Sequence, residues 1–447
     1  MIPSFAAIIV LIWGLGASRT GVLRMQVLVL VFGGTAALML PAIGGATVVI
    51  PDFALIFLVA SAFFEARATG QGRSASLPSF ILGFTVLWGV VLAVVIPRAF
   101  AGEFEITAIS HSPNEPAFRR IGPVSGNITQ SVYAIGNLAA FASARVLLRK
   151  RGRIQAFADA AVTLALINCG AAALNVFEFY TGIPSLLEFV RTAYVVHNQT
   201  FGSFPRINGT FPETSAFSGF SLGLFGFTAQ LWLSRVDSWR TGLASILLVL
   251  CLLVSTSATA YAGLIGYVPF LAVSMVQRAR RGWVLPRFAW VLVVVIAVLA
   301  VMGALIVLEA PVVDNLRLFL EQTLLDKMDS DSGLERGRWN SRALQNFLDT
   351  YGLGVGFGTV RTSSFVVTLL SNVGVIGTLG YCGFLCYVLK PKHQPSGEGE
   401  PPVIRAARHS TLALLVAAAI SGTVFHMGTV FYMFAALASV EPSETDP

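Results

Sequence analysis

The chain alternates between long apolar runs and shorter polar intervals over its whole length. Runs of roughly 17 to 25 apolar residues recur, and a helix of that length crosses ~30 Å of hydrocarbon with its backbone hydrogen bonds satisfied internally. Strands of a transmembrane barrel would instead change character at every second residue. The pattern therefore predicts an all-α polytopic membrane protein.

Basic residues set the predicted orientation of the spans. They concentrate in short intervals between apolar runs, most densely at residues 149–153, RKRGR, and such loops stay on the cytoplasmic side. We predict about 12 to 14 transmembrane helices, with a first span over residues 2–13 and two spans between residues 25 and 64. Both long polar loops then lie on the outer face.

Five parts make up the predicted organisation. They are an N-terminal transmembrane bundle (1–178), a first outer loop (179–217), central transmembrane helices (218–308), a large outer loop with an amphipathic helix (309–365), and C-terminal transmembrane helices (366–447) that include a cytoplasmic linker at 390–408.

Composition agrees with a membrane protein and excludes other classes. Hydrophobic residues make up 55% of the 447 residues and charged residues only 12%, about half the charged fraction of ordinary soluble domains. The net charge of +7 does not indicate nucleic acid as a partner, because the basic residues follow the loop pattern. The four cysteines fall within apolar stretches, so we expect no disulfide.

The first outer loop contains the segment RINGTFPETSAF, which begins at Arg206. An arginine cannot lose its charge, so beside hydrocarbon it either reaches the headgroups or pairs with an anion. Pro212 and Glu213 suit the first positions of a helix. Glu213 is thus either a helix-start carboxylate or a functional acid, and the sequence leaves both open.

The large outer loop is rich in arginine. Its basic residues, with one acidic neighbour, are Glu335, Arg336, Arg338, Arg342 and Arg361. Residues 334–351 have helical periodicity, which predicts an amphipathic helix at the membrane surface with Leu334, Trp339, Leu344, Phe347 and Leu348 facing the membrane. Guanidinium groups match phosphate oxygens in pairs, so the cluster predicts a lipid phosphate or pyrophosphate site. The alternative is a cationic helix resting on anionic lipid.

Several other motifs give weaker signals. The run GLGVGFG at residues 352–358 lacks the Lys-Ser/Thr that follows in a phosphate loop. Asp329 and Asp331 form an acid-x-acid pair of a kind that also arises by chance in polar loops. His197 and His426 are possible bases, although single histidines near span ends are commonly structural. We predict no metal ion and no other cofactor.

Taken together, the two outer loops resemble those of the O-antigen ligase and polysaccharide polymerase superfamily. The resemblance is carried by RINGTFPETSAF at the start of one span and by ERGRWNSRALQNFLDTYGLGVGFGTVRTSSF before another. It implies a GT-C-type glycosyltransferase of the bacterial inner membrane. The enzyme would take a glycan from undecaprenyl pyrophosphate and pass it to an acceptor glycan on the periplasmic side. The family's functional arginines correspond to Arg206 and Arg336.

Two positions depart from the ligase pattern. Family ligases place a His-Asn pair where this chain has Ser363 and Ser364, and they carry Ser-Arg where this chain reads STSAT at residues 255–259. The resemblance therefore implies a polymerase of exopolysaccharide, capsule or O-antigen repeat units rather than a ligase acting on lipid A-core. Membrane lipid is a further expected partner, and a chain-length regulator is left open.

The reaction implied by the resemblance needs cations and a base. Arg206, Arg336, Arg338 and Arg361 are predicted to hold the pyrophosphate, whose departure develops negative charge. Glu213 or Glu335 is predicted to accept the proton of the acceptor hydroxyl. A transporter of lipid-linked oligosaccharides is the main alternative of another class, although it would be expected to carry polar residues along its spans. An assembly factor without chemistry is the other.

Overall fold

Helices dominate the computed structural model, which describes residues 4–40, 46–70, 76–108, 118–183, 186–193, 200–201, 204–279, 331–392 and 400–441. The helices are α1 (Phe5–Gly16), α2 (Arg19–Leu28), α3 (Ile50–Ala68), α4 (Leu77–Ala99), α5 (Ser125–Leu147), α6 (Arg151–Thr181), α7 (Thr214–Leu233), α8 (Ser238–Val254), α9 (Ala258–Ala279), α10 (Asp331–Asp349), α11 (Phe365–Leu389), α12 (Pro402–Ser421) and α13 (Gly428–Ala438). Three short antiparallel hairpins pair β1 (Ala36–Leu40) with β2 (Ala46–Val49), β3 (Glu105–Thr107) with β4 (Phe118–Arg120), and β5 (Thr200–Phe201) with β6 (Phe204–Pro205).

Among the described residues, six helices are long and apolar enough to cross a membrane: α4, α6, α7, α9, α11 and α12. Helices α1, α8 and α13 are apolar but shorter. The prediction of a helical, multi-pass chain is confirmed to this extent. The predicted span at 288–308 and the first part of the large outer loop lie outside the described residues, so the count of 12 to 14 stays a prediction.

The segment between α2 and α3 differs from the prediction of two spans over residues 25–64. Helix α2 ends at Leu28, a single 3-10 turn covers Val29–Phe32, and the β1–β2 hairpin leads into α3. Gly33 and Gly34 follow the turn, and a Cβ on Gly34 would lie 2.5 Å from the carbonyl oxygen of Thr210. The β-branched residues at 47–49 favour a strand. Apolar content alone did not reveal this break.

Helix α7 lies at the centre of the bundle and is buried on nearly all sides. Its glycines allow α12 to approach closely, since a Cβ on Gly226 would lie 2.9 Å from the carbonyl oxygen of His409. Small residues at such contacts are the usual means of packing helices in a membrane, where apolar side chains gain little from leaving lipid. The α7–α12 pair therefore forms the core of the fold.

One polar group joins three helices within this core. Both ring nitrogens of His409 on α12 are hydrogen-bonded, Nε2 with Gln230 on α7 at 3.1 Å and Nδ1 with the Tyr267 hydroxyl on α9 at 3.0 Å. A buried polar side chain inside a membrane must be satisfied by the protein itself. His409 is accordingly a structural histidine.

Charged residues gather at one end of the bundle, called here the basic end. Glu65 near the end of α3 is buried and pairs with Arg19 at 2.5 Å, Arg153 at 3.1 Å and Lys150 at 3.7 Å. A buried carboxylate needs such compensation, and these contacts bring the start of α2, the end of α3 and the start of α6 to the same end. The described parts of the predicted outer loops lie at the other end, called here the loop end.

The run GLGVGFG packs against a break in α11. Gly374 has φ 64° and ψ −165° inside that helix. The break leaves backbone carbonyl groups of α11 without their helical partners, and amides of the run donate to them. The N–H of Val355 donates to the carbonyl oxygen of Ser371 at 2.7 Å, and the N–H of Gly356 donates to that of Asn372 at 3.0 Å. These amides are committed to the backbone of α11, so the run has a packing role of its own.

Gly356 provides a test of this packing. Its φ is +86°, and a Cβ would lie 2.3 Å from the Cα of Ala93 on α4. We expect Gly356→Ala to destabilise the protein by at least about 2 kcal/mol, because the backbone is strained and α4 must move away. The measurement is the midpoint of thermal unfolding in detergent. Gly170→Ala on α6 is the control, since a Cβ there meets nothing within 4 Å, and equal midpoints for the two variants would contradict the prediction.

Candidate functional site

Arg206 belongs to a loop that is held in place by buried hydrogen bonds. The buried side chain of Arg191 donates to the carbonyl oxygen of Gly209 through Nε, at 2.7 Å, and through Nη2. Asn175 on α6 accepts from the N–H of Asn208 at 3.0 Å and from that of Gly209 at 3.3 Å. The backbone beside Arg206 is therefore fixed, which limits where its guanidinium can reach.

Glu213 occupies the position just before α7, as the interpretation of a helix-start residue requires. Its side chain makes no capping hydrogen bond to the helix backbone. One carboxylate oxygen accepts from the hydroxyl of Ser215 at 3.1 Å, and the residue is exposed. Glu213 thus combines a helix-start location with an exposed carboxylate that contacts the first turn of α7.

Helix α10 lies where the amphipathic helix was predicted, but one of the five residues predicted to face the membrane points into the protein. Trp339 is buried rather than facing a membrane, and the guanidinium carbon of Arg361 lies 4.0 Å from the centre of its ring. Leu344 and Leu348 are exposed as predicted. A cation over a tryptophan face is attracted by the ring's quadrupole, so Trp339 holds Arg361 beside α10.

Two further contacts anchor α10 at the loop end. Asn340 accepts from the N–H of Ser363 at 2.8 Å, and Arg342 pairs with Glu105 on β3 at 3.4 Å. The N–H of Arg361 in turn donates to the carbonyl oxygen of Thr107 at 2.8 Å. The segment from α10 to Arg361 is thereby attached at both ends to the rest of the protein.

Charged residues of the first outer loop interact with charged residues of the large outer loop. Burial, followed by the positive charge of Arg336, lowers the pKa of Arg206, while the carboxylate of Glu213 opposes this shift. Burial also lowers the pKa of Arg361, which the carboxylates of Glu335 and Glu213 raise and the charge of Arg336 lowers. The charges of Arg336 and Glu213 thus each influence the pKa of both Arg206 and Arg361. We call Arg206, Arg336 and Arg361 the arginine cluster.

Arg338 lies apart from this cluster, unlike the predicted arrangement. It lines a separate groove with residues one turn further along α10 and with Phe118 on β4; the set is Phe118, Arg338, Ser341, Arg342 and Gln345. Two residues along a helix correspond to a rotation of about 200°, which explains why Arg336 and Arg338 face different sides. Charge interactions thus link five of the six predicted site residues.

The other predicted positions have varied locations. Ser363 is buried with its amide bound to Asn340, and the hydroxyl of Ser364 donates to the carbonyl oxygen of Ala419 at 2.9 Å. His197 and Asp329 lie outside the described residues. Within the described ranges, no group of three or more His, Cys, Asp or Glu side chains is placed to hold a metal ion.

A large cavity reaches Ser215 at the start of α7, and we call it the apolar cavity. Its volume is about 1010 Å³, and its lining is mainly hydrophobic. Ser215, the hydrogen-bond partner of Glu213, lines it together with Phe211, Phe365 and Thr423. His426 lies further along its wall, against the ring of Tyr133 at 4.9 Å between ring centres. The site therefore joins a charged group to an apolar space.

Two residues that position the site were not recognised for that role in the sequence. Arg191 appeared only as one cation of a loop, and Trp339 as a membrane-facing residue. Trp339 and Asn340 follow Arg336 by three and four residues, so all three lie on one face of the helix. This spacing could have predicted that Trp339 lies beside the cluster. The pairing of Arg191 with Gly209 has no local signature.

Comparison with known proteins gives no relative: no family model, no curated protein and no solved structure matches the chain.

Arg191 offers a test of how the Arg206 loop is held. We expect Arg191→Met to speed hydrogen exchange of the backbone amides at 206–211 by about tenfold or more, because a buried carbonyl loses its charged donor. Exchange would be followed by mass spectrometry in detergent, with the amides of 352–358 as an internal reference. Arg119→Met is the control, since the guanidinium of that half-buried arginine donates to the carbonyl oxygen of nearby Pro123. Unchanged exchange at 206–211 in Arg191→Met would show that other contacts hold the loop.

Proposed function

We propose that this protein is a membrane glycosyltransferase that transfers a glycan from a polyprenyl pyrophosphate carrier to an acceptor glycan. The supporting observation is that Arg336 and Glu213 both act on Arg206 and Arg361, which come from different loops. These charge interactions link three cations and two carboxylates from the two outer loops, which supports a single binding site.

The charge arrangement suits a diphosphate leaving group. The arginines remain charged at every physiological pH, so their mutual repulsion must be balanced. Glu213 and Glu335 balance part of it, and a multivalent anion would balance the rest. Bidentate hydrogen bonds to guanidinium match phosphate oxygens especially well, which favours a diphosphate over a single carboxylate.

In the proposed reaction, the acceptor hydroxyl oxygen forms a bond to the anomeric carbon as the bond from that carbon to the diphosphate oxygen breaks. The electron pair of the broken bond leaves with the diphosphate, whose growing charge the arginine cluster stabilises. The hydroxyl proton passes to Glu213 or Glu335. Attack opposite the leaving group inverts the anomeric centre, and the step needs no group beyond the two substrates and these side chains.

The resemblance of the outer loops guides the more specific proposal. It favours a polymerase of lipid-linked repeat units in the bacterial inner membrane, with undecaprenyl pyrophosphate as carrier and the site facing the periplasm. The basic end of the bundle, with Arg149 to Arg153, then faces the cytoplasm. Ser363 stands at the position where family ligases have a histidine, and its backbone N–H donates to the side chain of Asn340. The second candidate, a ligase acting on lipid A-core, would need its base elsewhere.

Loss of any cluster arginine should slow transfer. We expect Arg206→Ala, Arg336→Ala and Arg361→Ala each to lower the turnover rate by at least about 100-fold, the usual effect of removing one preorganised donor from developing negative charge. Lysine at position 361 should restore only part of the rate, because it lacks the paired geometry and stacks less well on Trp339. The measurement is glycan transfer in isolated membranes, using carrier lipid extracted from a deletion strain.

Arg98→Ala is the matched control. Arg98 is an exposed arginine at the same end of the bundle, and its guanidinium bonds to the carbonyl oxygen of Val94. It should leave the rate within about twofold, since an exposed cation outside the site contributes little. Equal losses in Arg98→Ala and the cluster variants would assign the effect to general surface charge, and full activity of Arg361→Ala would exclude the proposed role.

Deleting the gene separates the functional classes. A polymerase predicts single repeat units on the carrier at the periplasmic side, and a ligase predicts long chains still attached to the carrier. Accumulation at the cytoplasmic side would instead identify a transporter, and a normal carrier pool would leave only an assembly role.

A further inference from the structure

The apolar cavity extends well below the arginine cluster. On α3 its lining runs from Asp52 to Phe64, a distance of about 18 Å at 1.5 Å per residue. The cluster side of the cavity is formed by Ser215 and Phe365. One continuous space therefore connects the surroundings of Glu213 with the middle of the bundle.

The cavity opens sideways between α3 and α5. Ile56 and Phe64 on α3 and Val132 on α5 all line it, yet they are 62%, 60% and 59% exposed. Large apolar side chains that are exposed on a membrane-spanning bundle face lipid. A chain lying in the cavity could thus continue into the bilayer through this opening.

The cavity wall includes backbone that is not helical. Residues 422–427 connect α12 to α13, and the hydroxyl of Thr429 donates to Asp52 at 2.8 Å. Asp52 lies thirteen residues before Glu65 on α3, so this contact is about 20 Å from the basic end. Irregular backbone at such a depth is tolerated where protein buries it or where it lines a cavity, and it is common at membrane binding sites.

Polar groups on the wall are largely occupied by the protein. Asp52 accepts from Thr429, and the hydroxyl of Tyr133 donates to the carbonyl oxygen of Thr47 at 2.9 Å. The remaining surface is mainly hydrocarbon. The space therefore suits an apolar chain better than a sugar, which would need many free hydrogen-bonding groups.

We propose that the apolar cavity binds the diphosphate-proximal part of an isoprenoid chain, which leaves the protein between α3 and α5. This inference rests on the proposed function, because the arginine cluster, which is linked to the cavity through Glu213 and its partner Ser215, would hold the diphosphate to which the chain is attached. Only about 18 Å of the chain is enclosed, and the remainder lies in the bilayer. The protein would then recognise the start of the carrier chain and not its full length.

Photolabelling tests the proposal. The full-length protein in phosphatidylcholine nanodiscs is exposed to a polyprenyl diphosphate that carries a diazirine in its second isoprene unit. We expect labelled peptides from α3, α5 and residues 422–430, and expect excess inorganic diphosphate to reduce this labelling. The same probe with its diazirine at the far end of the chain should label these peptides much less. Labelled sites would be mapped by mass spectrometry.

Gly136→Phe on α5 should fill the cavity. Gly136 lines it, and a Cβ there would first meet Leu55 Cδ1 at 3.9 Å, so the ring can enter without moving the backbone. We expect about tenfold less labelling of the cavity peptides, because a packed interior has no spare room and the ring would occupy the volume that the chain needs. Gly170→Phe on α6, where a Cβ meets nothing within 4 Å, is the control. Val132→Trp gives a second, more exposed position if Gly136→Phe does not fold.

The possible outcomes separate the two proposals. Labelling spread over lipid-facing helices such as α6, and equal in Gly136→Phe and Gly170→Phe, overturns the cavity assignment while leaving the proposed function intact. Cavity labelling that neither inorganic diphosphate nor Arg206→Gln reduces supports the cavity as a chain site and overturns the proposed function. Labelling that is confined to the cavity and reduced by both supports the two together.

Discussion

The arrangement of the site depends on one electrostatic constraint: the guanidinium groups of Arg206 and Arg361, which cannot lose their charge, both lie within the influence of a third, that of Arg336. Burial and the charge of Arg336 both disfavour the charged forms of Arg206 and Arg361, so the cluster is unfavourable unless anions balance it. Glu213 and Glu335 supply two carboxylates. A bound multivalent anion would offset the remaining positive charge. Relief of the repulsion among the arginines would then add to the free energy of binding that anion.

Such a cluster requires rigid support, because free side chains would move apart to relieve the repulsion. The structure supplies that support separately to each arginine. Arg191 fixes the backbone beside Arg206 through the carbonyl of Gly209, Trp339 lies under Arg361, and Asn340 ties α10 to the segment that follows. Beneath them, the glycine run closes the break in α11 and lets α4 approach. Packing far from the charges thus determines where the charges lie.

Sequence reasoning was most successful where a pattern is local and periodic. The helical character of the chain and α10, predicted at 334–351 and found at Asp331–Asp349, follow from residue spacing. It failed where tertiary contacts decide. Nothing local shows that Arg191 bonds to the carbonyl oxygen of Gly209, or that the apolar residues between 25 and 49 include a 3-10 turn and a hairpin. The meeting of Arg206 with Arg336 and Arg361 was predicted only through the family resemblance, since a separation of more than 120 residues leaves no periodic signal.

The position of the cluster relative to the apolar cavity restricts the kind of ligand further than charge alone. A soluble diphosphate would be satisfied by the cluster and would make no use of a space of about 1010 Å³ that opens toward lipid. A phospholipid could fill that space, but its single phosphate would leave the three arginines less well balanced. In a membrane, an apolar chain gains little simply by leaving the bilayer, since lipid is as apolar as the cavity wall. On the proposed function, most of the binding free energy would therefore come from the diphosphate head, and the cavity would select by shape among the lipids that carry one.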